Sequence, residues 1–94
     1  MADVAIKKGG VKMIKTITLI TSNSVSIAAD NYVRTRILSA YLAFMVAATS
    51  AKYKSAEAVD YFEALNKSVS NSHMTGDMIV ANYAQKCIAA LNTM

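Results

Sequence analysis

Few side chains in this chain could do chemistry, and their spacing argues against most of it. His73 is the single histidine. It stands in the polar run Ser70-Asn71-Ser72-His73-Met74, with no cysteine or carboxylate at ligand spacing, so a surface histidine is expected rather than a base. Cys87 is the single cysteine, which allows no internal disulfide. It falls on an apolar helical face, whereas reactive thiols need a basic, partly exposed setting. Glu57, Asp60 and Glu63 recur every third residue and would share one helix face. Without a histidine or an oxygen-rich loop they form neither a zinc nor a calcium pattern, and a solvated ridge is expected. No phosphate-binding loop or nucleophile–base constellation occurs. The expectation is a protein that is not an enzyme and holds no cofactor or metal.

The tyrosines, Tyr32, Tyr41, Tyr53, Tyr61 and Tyr83, suit recognition better. Each joins a large apolar body to a hydrogen-bonding end, the combination that interfaces favour. Tyr53 and Tyr61 flank a turn beside Lys52 and Lys54, where a partner surface is expected. Met45 and Met78 read as core fillers. The net charge of +4 is unevenly placed. Lys7, Lys8, Lys12 and Lys15 against Asp3 leave +3 in the first fifteen residues, and six basic against five acidic residues leave +1 in the rest. Residues 1–12 therefore read as a flexible basic arm.

These residues need elements to hold them. Ninety-four residues make one domain, and residues 13–94 are assigned to it. A chain of this length buries about 60–65% of its unfolded surface, yet 54% of the residues are hydrophobic. Self-association is favoured on that ground alone. Proline is absent, and the only glycines are Gly9, Gly10 and Gly76. Nothing from Val11 to Thr75 breaks a helix by backbone chemistry, so the body should be mainly α.

Ile37 to Ala51 carries no charge, and a helix apolar on most of its circumference must be covered on most of it. At fifteen residues with four hydroxyls it reads as a buried helix rather than a membrane span. The Ser22-Asn23-Ser24 cluster predicts a cap, followed by one long helix from about residue 24 to 53. Val25, Ala29, Tyr32 and Val33 would face inward, and Asp30 and Arg34 would pair. Two amphipathic helices follow, over about 55–71 and 75–92. The first has the stripe Ala58, Phe62, Leu65 and Val69 with a Glu63–Lys67 pair. The second has the stripe Val80, Ala84, Cys87 and Leu91.

Met13 to Thr21 is rich in β-branched residues, and Ile17 and Leu19 alternate with Thr16 and Thr18. That favours a strand, although the chain offers no second strand to pair with. Either it pairs with a second copy or it opens a helix. A secretory signal is not expected, because its four-residue apolar core is too short. The expected architecture is a three-helix bundle-like domain with one long apolar central helix and a short N-terminal strand or arm.

A cytoplasmic, non-enzymatic interaction module is the leading functional expectation. It would be a dimer or small multiple, with Ile17, Leu19, Tyr41, Tyr53 and Tyr61 at interfaces. It would serve as an inhibitor or adaptor of a larger protein complex, the accessory type found in phages and mobile elements. Two alternatives stand beside it. A basic strand could bind DNA as a dimeric ribbon in the major groove, through Lys7, Lys8, Lys12 and Lys15. A heterologous contact between helical faces could build a filament or shell.

Overall fold

The computed structural model describes residues 10–49, 55–70 and 75–93. Four helices occupy them: α1 (Gly10–Ile27), α2 (Asn31–Thr49), α3 (Ser55–Ser70) and α4 (Thr75–Thr93). No strand occurs among the described residues.

The expected strand over 13–21 is therefore corrected to a helix. Its β-branched residues have poor intrinsic helix propensity, but propensity is a weak prior that packing overrides. The threonines explain how the helix absorbs them. Thr16, Thr18 and Thr21 each donate their hydroxyl to the carbonyl four residues earlier, Lys12 O at 2.9 Å, Ile14 O at 2.8 Å and Ile17 O at 2.6 Å. Polar groups that would have decorated a strand are satisfied within α1. The buried stripe of α1 is Ile17, Thr21 and Ala28, with Ile14 and Val25 beside it.

The single long helix over 24–53 is also corrected, because it is broken at Ala28–Asp30. Asp30 caps α2, its Oδ1 accepting the Tyr32 amide at 2.8 Å. Arg34 closes the end of α1, its Nε donating to Ala28 O at 2.7 Å. Asp30 and Arg34 thus bind backbone groups instead of each other. The break resets the helical phase, which is why Ala29 is exposed and Tyr32 is 63% exposed rather than inward. Met78, expected in the core, is 61% exposed.

α1 runs antiparallel to α2 and to α4. Its Ile27 end lies beside Val33 and Ile79, and its Met13 end lies beside Ala90 and Thr93. α3 and α4 pack closely along each other and are joined by only four residues, so they too are antiparallel. α2 and α4 run parallel, since their first turns meet: Arg36 Nη1 lies 3.9 Å from Asp77 Oδ1, the single ion pair among the described residues. The result is an up-down-up-down arrangement. α2 and α4 each touch the other three helices, while α1 and α3 make the least contact of any pair. No long apolar helix is central. The middle is shared by α2 and α4.

Small residues permit that closeness. Ala40 and Ala84 are fully buried, and Ala48 and Ala81 nearly so. Phe44, Phe62, Ile37, Val80 and Tyr83 fill the space around them. Gly76 lies at a close approach of α4 to α2, where an added Cβ would lie 2.6 Å from Val33 Cγ2. Gly76→Ala should therefore lower the melting temperature. The overlap costs about 1–3 kcal/mol, against a propensity gain of up to about 1 kcal/mol. In a Val33→Ala background the sign should reverse, as thermal melts of the single and double variants would show.

Candidate functional site

Two tyrosine hydroxyls reach α1 from different helices, and they define both the interior and the surface of its face. Tyr83 on α4 is fully buried, with its hydroxyl 2.6 Å from Thr21 Oγ1. Tyr41 on α2 is half-buried, with its hydroxyl 2.9 Å from Thr18 Oγ1. Each threonine has one proton and spends it on a helix carbonyl. The tyrosines must therefore be the donors, and the threonine oxygens the acceptors. Two directed bonds hold the strand-like segment of α1 in place as a helix.

Cys87 lies one turn beyond Tyr83 on α4, is completely buried and contacts the Tyr83 hydroxyl. Burial pushes its thiol up to about 12, with the Tyr83 hydroxyl working in the opposite sense. Tyr83 itself is held far above the usual phenol range, chiefly by burial. Neither group is poised as a nucleophile or base at neutral pH.

The surface beside these bonds is an open groove of about 400 Å³ between α1 and α2. Thr18, Ser22, Val25 and Ser26 form one wall, and Leu38 and Tyr41 the other. Leu38 is 49% exposed and Leu42, one turn on, is 66% exposed. No charged residue lies on α1 after Lys15, or on α2 after Arg36. The groove lining is apolar with a hydroxyl fringe and no charge.

The residues expected at interfaces do not come together. Ile17 is 1% exposed and spends its surface inside the chain. Tyr41 lines the groove. Leu19 is exposed on the outer side of α1. Tyr61 is exposed on α3, packed edge-on to Phe62 with ring centres 5.0 Å apart. Tyr53, Lys7, Lys8 and His73 lie outside the described residues. Lys12 and Lys15 are exposed on α1. Glu57, Asp60 and Glu63 are exposed on α3. Leu38 and Leu42 were absent from the expected set. The signal for them was the lack of charge on α2 after Arg36.

No family model, curated protein or solved structure matches this chain. Its function must be argued from its own surface. Among the described residues, no group of three or more histidine, cysteine or acidic side chains could hold a metal ion. No described helix is long and apolar enough to cross a membrane.

Thr21→Val should cost more than Tyr83→Phe. The first leaves a buried phenol donor with only the weakly accepting Cys87 sulfur beside it, at a cost of about 1–3 kcal/mol. The second leaves only an acceptor lone pair, worth about 1 kcal/mol. Urea denaturation of both variants and their double mutant would measure the difference.

The buried thiol makes a second prediction. Below pH 9.0, the ordinary thiol value, folded and unfolded chains both keep the Cys87 proton, and no stability is lost. Between there and about 12 the unfolded chain releases the proton while the folded one keeps it, so stability falls as pH rises. Tyr83 adds a loss of the same sign above pH 10.0. Denaturation at stepped pH should show stability declining from pH 9, and Cys87→Ala should delay the decline to about pH 10.

Proposed function

We propose that this protein is a non-enzymatic interaction module that associates with itself through the α1–α2 face. The observation that carries this reading is the pair Leu38 and Leu42, half and two-thirds exposed beside an uncharged groove. Isolated exposed leucines are ordinary, but a contiguous apolar ridge next to a cleft is a recognition feature. The proposed occupant is a second copy. A twofold axis sets the leucine ridge of one molecule into the hydroxyl-walled groove of the other, and the reverse. Because no charged residue lines the groove, this pairing meets no like-charge repulsion there. An isologous dimer of this kind closes on itself.

The dimer proposed here does not use a shared strand ladder, because Met13 to Thr21 is helical. The same fact removes a β-ribbon in the DNA major groove as a binding mode for Lys12 and Lys15. An accessory role toward a larger complex, as inhibitor or adaptor, remains the broader proposal.

Leu42→Glu tests the reading. It sits in solvent, so the fold should be retained by circular dichroism. Light scattering at about micromolar concentration should change from dimer to monomer. A wild-type protein that is monomeric under those conditions would overturn the proposal.

A further inference from the structure

The two flanking helices carry opposite net charge: Lys12 and Lys15 on α1, and Glu57, Asp60 and Glu63 against Lys67 on α3. On α1, Lys12, Lys15 and Leu19 lie opposite the buried stripe Ile17, Thr21 and Ala28, and all three are exposed. α1 has no acidic residue. On α3, Glu57, Asp60 and Ala64 lie opposite the buried stripe Ala58, Phe62 and Val69, and all three are exposed. Both outward rows have the same spacing, three residues and then four, which is one helical ridge. Aligned in the same direction, Lys12 meets Glu57, Lys15 meets Asp60, and the large Leu19 meets the small Ala64.

The fold supplies that alignment. α1 and α3 both run antiparallel to the α2–α4 pair, so they are parallel to each other. They lie on opposite sides of that pair and make the least contact of any two helices. A second molecule displaced sideways without rotation therefore brings its α3 alongside α1 of the first.

We propose that α1 of one copy docks along α3 of the next, building an open-ended row. The contact is heterologous: the surface used on one side differs from that on the other, so a translation repeats it without closure. Leu19, 63% exposed, gains apolar cover at the centre, with ion pairs toward one end. The occupant of each flank is a second copy of this chain, chosen by charge complementarity and common spacing. The inference does not depend on the α1–α2 contact, which uses Leu38 and Leu42.

Exposed ion pairs are individually weak, so the row should form at high protein concentration and low salt. Sedimentation velocity should then show species larger than a dimer. They should dissolve in about 1 M NaCl, where the screening length falls to about 3 Å. Lys15→Glu and Asp60→Lys should each abolish them, and mixing the two variants should restore them as an alternating row. Leu42→Glu should leave the rows intact while removing the closed dimer. The proposal is overturned if nothing larger than a dimer forms at low salt, if either charge reversal leaves the size unchanged, or if the mixture does not recover. It is also overturned if Leu42→Glu alone abolishes all assembly, since association would then belong wholly to the α1–α2 face.

Discussion

The hydrogen bond from Tyr83 to Thr21 is the constraint on which the rest of the structure depends. Tyr83 is fully buried at the middle of α4, and its hydroxyl needs a partner there. α1 supplies the oxygen partner, Thr21, beside the weaker contact with the Cys87 sulfur on α4. Thr21 can accept because its own proton goes to Ile17 O, which requires α1 to be helical at that point. The helical state of α1 and the satisfaction of the core are therefore one condition. Tyr41 and Thr18 repeat the arrangement nearer the surface. In a small domain with marginal stability, two such bonds decide whether a β-branched segment folds with its own chain.

Fixing α1 in this way leaves α2 and α4 as neighbours across the middle. Gly76 lets their first turns approach, and the larger side chains fill the core around them. Two consequences reach the surface. α2 is apolar on more sides than α1, α3 and α4 can cover, so Leu38 and Leu42 remain outside. α1 and α3 are pushed to opposite flanks, where the basic and acidic ridges face away from each other. The uncharged face and the charged flanks are both products of one packing choice.

α3 and α4 were legible because their apolar residues recur with a single helical period. Phe62, Val69, Val80, Ala84 and Cys87 were assigned to the core from spacing, and all are buried. The expected spans of 55–71 and 75–92 lie within a residue of the observed helices. α1 was not legible in the same way, because alternating isoleucine and threonine suits a strand, and the partners that make it helical lie 23 and 62 residues away. The missing second strand was the signal that a helix should have been preferred. The break before α2 was hidden because Ala28 and Ala29 favour helix, and only Asp30 marked the cap. Nothing local to α4 shows that the Tyr83 hydroxyl needs a threonine, because that threonine lies 62 residues away.

Native-state hydrogen exchange at the α1 amides tests the central claim most directly, because it reports the free energy with which each segment opens. If the tyrosine–threonine bonds tie α1 to the core, the amides from Ile17 to Thr21 open only with those of Tyr83 to Cys87, in the global unfolding reaction. Exchange of the α1 amides at a much lower free energy, while α4 stays protected, would contradict the account. It would mean that α1 is an attached helix rather than part of the core.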